Sequence, residues 1–315
     1  MFEKIIEKIN RADTIGIFTH VNPDGDALGS AYALKLVLGD MGKVAEVFLC
    51  GGIEERMINI VKGTSDSCID IDKCDMLIAL DCADLKRLDK WKDIFLAHTN
   101  TAAIDHHITH VEFAKKTVVQ NVSSTCELMW HMFKEMNAKV SVDAATNMYI
   151  GMATDTGNFK YSSVTGDTHR VAAALIDMGV DFAEISKKIF DTATREYLAL
   201  KAKAMNSLEF YSDGKICVLS LMNSDFEEYG VKEENASAIV TLPNRVEGVE
   251  VGVYIRQRGE DEVKVSLRSS RYVDVSEIAT LFGGGGHIRA SGYSVSIKNR
   301  QENLKKLICE IEKRL

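Results

Sequence analysis

Apolar runs of strand length recur through the first third of the chain, each closing in a polar turn. Residues 15–19, 44–50, 76–81 and 101–105 are such runs, and most are followed by a helical pattern of apolar positions. Strands alternating with helices predict a parallel sheet with crossover helices. Ser124-Thr-Cys-Glu127 has the form of a capping box and predicts a helix to about Asn137. Val142 to Thr154 reads as another helix with an apolar stripe, ending at Asp155-Thr-Gly. The periodicity is helical again over 165–178 and 182–208, with a break near Thr192–Thr194.

After Asp213-Gly214 the pattern changes. Runs at 215–221, 249–257 and 262–268 read as strands, and Asn235–Leu242 and Asp274–Phe282 as helices. Gly283-Gly-Gly-Gly-His287-Ile-Arg-Ala-Ser-Gly292 follows, then a strand and a closing helix. The expected fold class is α/β: an N-terminal parallel-sheet domain with flanking helices over 1–190, a connecting helix over 191–212, and a smaller α+β domain over 213–315. Between the two domains an active-site cleft is expected. With only Pro23 and Pro243 and no low-complexity tract, a long flexible linker is not expected.

Composition narrows the setting. The chain is 46% hydrophobic, ample for two packed cores. Its first residues, Met-Phe-Glu-Lys-Ile-Ile-Glu-Lys-Ile, form an amphipathic helical pattern rather than a signal peptide, and no apolar run approaches membrane-spanning length. Seven cysteines without a Cys-x-x-Cys pair fit a reducing compartment. A soluble cytoplasmic protein is expected. The net charge of −8 disfavours one that tracks long nucleic acid, yet leaves room for a small anionic substrate.

The polar residues at the strand ends supply the candidate chemistry. The first run leads through Thr19-His20-Val-Asn-Pro-Asp24-Gly-Asp26, the third ends in Asp81 with Asp84 after it, and the fourth ends in Asp105-His106-His107. In open α/β sheets ligands bind at the carboxyl ends of strands. Each residue alone also suits an ordinary turn or helix cap, Asp26 included. Gathered together, His20, Asp24, Asp26, Asp81, His106 and Asp155 give two imidazoles and four carboxylates, which two divalent ions would balance in formal charge. Oxygen ligands mixed with imidazole suit manganese better than magnesium. His98, His131 and His169 lie outside these motifs and read as surface or packing residues.

In the second domain, glycines without a Cβ let backbone N–H groups approach a phosphate closely. Gly284, Gly285, Gly286 and His287 are therefore candidate substrate contacts. Arg268, in Ser-Leu-Arg-Ser, is a candidate phosphate contact, and Arg289 and Ser291 join the set. The run lacks the Lys and Ser/Thr of a P-loop and the preceding strand of a dinucleotide-binding turn.

Together, His20-x-x-x-Asp24-x-Asp26, Asp81-x-x-Asp84, Asp105-His106-His107 and Asp155-Thr-Gly resemble the four motifs of the DHH phosphoesterase superfamily. Asp274-Val-x-x-Ile-Ala and the Gly-Gly-Gly-Gly-His287-x-x-Ala-Ser-Gly segment resemble the DHH-associated substrate domain. Size and layout are similar to the NrnA-like branch, which joins nano-RNase activity to phosphatase activity on 3′-phosphoadenosine-5′-phosphate (pAp). The resemblance implies one metal on His20, Asp24 and Asp81, and a second on Asp26, Asp81, His106 and Asp155. It implies Asp105 fixing an imidazole by hydrogen bond and His107 as a catalytic or phosphate-contacting residue. One departure is visible: three residues after Asp-His-His the family often has Asn, and this chain has His110.

The implied reaction is metal-assisted hydrolysis of a phosphate ester, with short oligonucleotides and mononucleotide bisphosphates as substrates. No membrane or long duplex partner is expected, and a homodimer is compatible with the sequence. A pyrophosphatase would grip its substrate with clustered Arg and Lys where the glycine–histidine run stands here. A RecJ-like exonuclease would be larger, and a metal-free nucleotide sensor would have lost a ligand. A phosphodiesterase acting on the linear dinucleotide pApA can share every motif.

Overall fold

The structure is a computed structural model and describes residues 1–53, 55–64 and 69–315. It divides into two units, Met1–Thr192 and Ala193–Leu315.

The first unit is built on a five-stranded sheet: β1 Thr14–Phe18, β2 Val44–Phe48, β3 Met76–Leu80, β4 Thr101–Asp105 and β5 Lys116–Val119. Its order is β2-β1-β3-β4-β5, and every pair is parallel. Parallel strands need crossovers, which cover both faces and explain why β3 and β4 are buried at every position. Alternation sorts the side chains. Ile15, Ile17, Ile78 and Ile104 face one core, whereas Phe18, Leu77, Ala79 and Ala103 face another with Phe95.

The helices of this unit are α1 Glu3–Arg11, α2 Gly25–Asp40, α3 Glu55–Ile58, α4 Lys92–Ala97, α5 Thr125–Glu135, α6 Val142–Asp155, α7 Gly166–Asp177 and α8 Phe182–Ser186. Helix α1 buries Ile5 and Ile9, as its amphipathic pattern requires. Strand β5 was not expected from the sequence: Lys-Thr-Val-Val is half-buried along its length at the sheet edge, so it lacks the apolar run of its neighbours. Between β1 and β3 the chain changes sides of the sheet, since β2 lies on one side of β1 and β3 on the other. Such a switch opens a crevice beyond the carboxyl ends of the two strands.

The second unit contains α9 Arg195–Asn206, β6 Glu209–Tyr211, β7 Ile216–Leu221, α10 Asn223–Tyr229, β8 Val251–Arg258, β9 Glu262–Ser269, α11 Val275–Leu281, β10 Gly285–His287, β11 Ala290–Ser296 and α12 Arg300–Glu312. Its mixed sheet runs β10-β11-β9-β8-β7-β6, with β7 and β8 parallel and the other pairs antiparallel. One face packs Val253, Val265 and Leu267 against Ile278 and Leu307; the other packs Leu219 and Leu221 against Leu200 and Ala204 of α9. That helix, expected as a connector, contributes to the core of this unit.

Two sequence expectations change here. Residues 235–242 lie in 3-10 turns, Glu233–Thr241 with a break at Ala236, rather than in an α-helix. The glycine run is half strand: Gly285–His287 pairs with Ala290–Gly292 as an antiparallel hairpin.

Candidate metal centre

At the end of β1 the chain turns through His20 into α2. The His20 Nδ1 lies 2.9 Å from the Val21 carbonyl, which accepts its N–H and leaves Nε2 facing two carboxylates. They are Asp24 Oδ2 at 3.8 Å and Asp81 Oδ2 at 3.7 Å. Asp24, not Asp26, caps α2: its Oδ1 accepts the Asp26 and Ala27 amides, each at 3.1 Å. One oxygen of Asp24 is thus spent on the helix and the other is free for the site.

Asp26, released from capping, points inward. Its two oxygens accept the Thr125 amide at 2.6 Å and the Cys126 amide at 3.0 Å, the first turn of α5. A helix N-terminus suits a carboxylate, so α5 orients this buried charge. The close packing comes from glycine. A Cβ at Gly151 of α6 would stand 2.2 Å from Cys126 Sγ and 2.8 Å from Asp26 Oδ1, so only a bare backbone lets α6 approach.

Asp81, the residue after β3, has φ of +55°, a left-handed conformation that side chains other than glycine rarely adopt. The Thr125 hydroxyl donates to its Oδ1 at 3.1 Å. His106, after β4, sets Nε2 at 3.5 Å from Asp81 Oδ1, 3.4 Å from Asp155 Oδ2 and 4.0 Å from Asp26 Oδ2. Asp155 closes α6. All six sequence candidates therefore converge, as two neighbouring groups: His20, Asp24 and Asp81, and Asp26, His106 and Asp155, linked by the approach of His106 to Asp81. A third group includes His107 with Asp81 and His106.

The crowded carboxylates raise one another's proton affinity. Burial, reinforced by the charges of Asp81 and Asp155, pushes the Asp26 carboxyl well above its ordinary range. Burial and then Asp24 push Asp81 up to about 6, against the pull of the surrounding imidazoles. Asp155 is raised too, chiefly by burial and only partly offset by His106. Crowded carboxylates of this kind fit divalent cations, which would supply the missing positive charge. Mixed oxygen and imidazole donors also fit the same ions.

Beside this group lies a second arrangement. Asp105 is fully buried, and its Oδ1 accepts the His107 Nδ1–H at 2.7 Å together with the His106 and His107 amides. Its Oδ2 accepts the His110 Nδ1–H at 2.6 Å. Burial opposes ionisation of Asp105, but the hydrogen bonds from His107 and His110 outweigh it and hold the carboxyl below its usual range. The bond from Asp105 in turn raises His107.

In the second unit, register sets Arg268 on β9 opposite Ala290 on β11. Arg268 donates from Nη1 to the Leu267 carbonyl at 3.0 Å, and His287 is exposed on the hairpin. Gly286 has φ of +144°, open to glycine but costly for other residues. Gly284 lies before β10, and Gly285 pairs with Gly292. Arg289 donates from Nη1 to the Val273 carbonyl at 2.9 Å and to the Ser269 hydroxyl at 3.3 Å. Ser291 donates to the His287 carbonyl at 2.7 Å. The last two thus shape the hairpin and its neighbouring loop.

Other histidines have local partners. His98 bonds the Cys74 and Asn100 carbonyls, and His169 stacks on Phe159. His131 pairs with Asp167 at 3.1 Å close to Glu127, whose Oε2 accepts from the Ser123 and Thr168 hydroxyls. Sequence reasoning missed Thr125, Cys126, Gly151 and the His110 bond. A faint signal existed for the first two, because a predicted helix start at residue 125 offers free amides.

Comparison with known proteins places these observations. The family model described as "DHH family, N-terminal domain" matches residues 14–152, and the "DHHA1 domain" model matches residues 213–314. The chain is 32% identical over 280 residues to the bifunctional oligoribonuclease and PAP phosphatase NrnA of Thermus thermophilus, spanning 88% of this chain and 83% of that protein. A crystal structure of an exopolyphosphatase-related protein from Bacteroides fragilis superposes with a TM-score of 0.89 at 26% identity, covering 98% of this chain and 95% of that one. RecJ of Thermus thermophilus in complex with Mn2+ shares the fold at a TM-score of 0.57 and 11% identity, over 98% of this chain and 54% of RecJ.

Proposed function

The chain belongs to the DHH family of metal-dependent phosphoesterases, and on that premise we propose that it hydrolyses short oligoribonucleotides and pAp. The observation that carries this reading is the convergence of His20, Asp24, Asp26, Asp81, His106 and Asp155 beyond the carboxyl ends of the strands, joined to a DHHA1 domain. His20, Asp24 and Asp81 would hold one divalent cation, and Asp26, His106, Asp155 and the shared Asp81 the other. Such a pair, manganese being favoured by the mixed donors, supplies Lewis acidity to a phosphoryl oxygen and lowers the pKa of water.

The chain's own side chains do the rest. His107, with Nδ1 committed to Asp105, keeps Nε2 for the substrate, where it contacts the phosphate or passes a proton to the leaving oxygen. Arg268 contributes positive charge and His287 a hydrogen bond to a terminal phosphate, and the amides of Gly284, Gly285 and Gly286 line the same hairpin. Arg289 and Ser291 act by fixing that hairpin. Selection of short substrates follows from charge: the chain is acidic and has no basic run interleaved with aromatics to guide a long strand.

One panel tests the reading. With manganese present, a dinucleotide RNA and pAp should turn over faster than pyrophosphate or a long single strand. Preference for pyrophosphate, or pApA as the sole substrate, would replace it.

A further inference from the structure

His110 stands three residues after His107, and its surroundings are specific. Its side chain is 5% exposed, its Nδ1 lies 2.6 Å from Asp105 Oδ2, and its ring stacks on Phe113 at 5.5 Å between centroids. The backbone is locked as well. The His110 amide donates to the His107 carbonyl at 3.1 Å, and the Val111 amide donates to Ala83 at 2.8 Å, tying this turn to the loop after β3. Among the described residues, His110 Nε2 is one of the few buried side-chain nitrogens without a hydrogen-bond partner.

That orphaned nitrogen is informative. An unpaired buried polar atom costs stability, and an apolar ring of similar size would stack on Phe113 without the cost. What the imidazole supplies against that cost is its other nitrogen, bonded to Asp105. Asp105 accepts from two imidazoles, one on each oxygen, and only His107 of the two is open to solvent, with its side chain 32% exposed. Rotation of the carboxylate about its terminal bond would move both oxygens. The His110 bond on Oδ2 adds a second anchor to the three bonds on Oδ1, and so stiffens the plane of Asp105 and with it the His107 ring.

We propose that His110 is a positioning residue for phosphoester cleavage: it clamps Asp105, and through Asp105 it fixes the tautomer and orientation of His107. The assignment rests on the reading of His107 given above as the group that meets the substrate. His110 touches neither substrate nor cation in this scheme. Its effect therefore falls on turnover, not on binding.

The test compares His110→Phe, which keeps the stacked ring and removes the donor, with His110→Asn, whose amide can still donate to Asp105. Cleavage of bis(4-nitrophenyl) phosphate reports on the chemistry independently of nucleotide preference. The His110→Phe protein should lose about 10- to 100-fold in kcat with KM and bound manganese unchanged, and His110→Asn should recover most of the loss. In parallel, imidazole NMR of the metal-free wild type should show slowly exchanging Nδ1 protons for both His107 and His110, and the His107 signals should shift in His110→Phe. Wild-type kcat in His110→Phe, or a kcat loss matched by lost metal, would overturn the proposal. So would the absence of a protected His110 Nδ1 proton in the wild type, a result obtained whether or not any variant folds. Failure on nucleotide substrates alone would instead strike the functional reading and leave the NMR result standing.

Discussion

The strand-end group of the first unit and the glycine hairpin of the second are built in opposite ways. The first concentrates charge. Asp26 and Asp81 are nearly inaccessible, 1% and 2% exposed, and both carboxyls are pushed upward, as suits a group proposed to bind cations. The second carries little side-chain charge; its Gly285–His287 strand is exposed, and its shape comes from backbone pairing and from Arg289 and Ser291. The difference teaches that loss of a ligand in the first region should be all-or-none, whereas damage in the second should be graded.

The largest contrast is expected at Asp81. Because Asp81 is proposed to be shared by both cations, Asp81→Ala should lower turnover on every substrate by on the order of 10³-fold or more, and metal analysis should show fewer bound ions. Wild-type turnover with two metals bound would remove Asp81 from the centre.

Next in size is the stabilisation of the native state by metal. Manganese at 100 times its Kd should add about 2.7 kcal/mol, equivalent to roughly 5–10 °C in Tm for a unit of this size. Differential scanning calorimetry should find the shift in the wild type and not in Asp81→Ala. An equal shift in both would show that manganese binds elsewhere.

In the hairpin region the expected effect is smaller. Arg268→Ala or His287→Ala should cost about 1.5–3 kcal/mol in kcat/KM, roughly ten- to a hundredfold, with metal content intact. Unchanged kinetics in both would break the comparison by leaving the second region without a role. The smallest effect is substrate length: on an end-labelled ladder, rates should decline a few-fold as nucleotides are added, because an acidic chain repels further phosphates. Faster cleavage of a long strand than of a dinucleotide would reverse that expectation.

Much of the first region was legible because its chemistry sits where apolar runs stop. His20, Asp81 and His106 each follow a strand whose pattern of buried positions is plain, so the sheet and the candidate residues at its edge could be read together. The supporting contacts were not legible. The amides of Thr125 and Cys126 hold Asp26 across about a hundred residues of sequence, and no local pattern marks such a contact. Gly151 looked like one more small residue in a helix, although its missing side chain sets the approach of α6. In the second region the glycine run reads as a loop, since glycine has poor strand propensity, and only pairing to Ala290–Gly292 makes it a strand. Strand β5 escaped for a related reason: an edge strand half open to solvent needs no continuous apolar run.

The packing of Gly151 against Asp26 also has a consequence for the order of events during synthesis. Asp26 leaves the ribosome early, but the helix that walls it in, and the Asp155 that faces it across His106, lie 129 residues later. At translation speeds of about 5–20 residues per second roughly 6–26 s separate the synthesis of Asp26 from that of Asp155. The group of six is therefore complete only once the last turn of α6 has been made. A chain arrested before α6 has all five strands of the first sheet and the amides that hold Asp26, but neither the helix that packs on it nor Asp155.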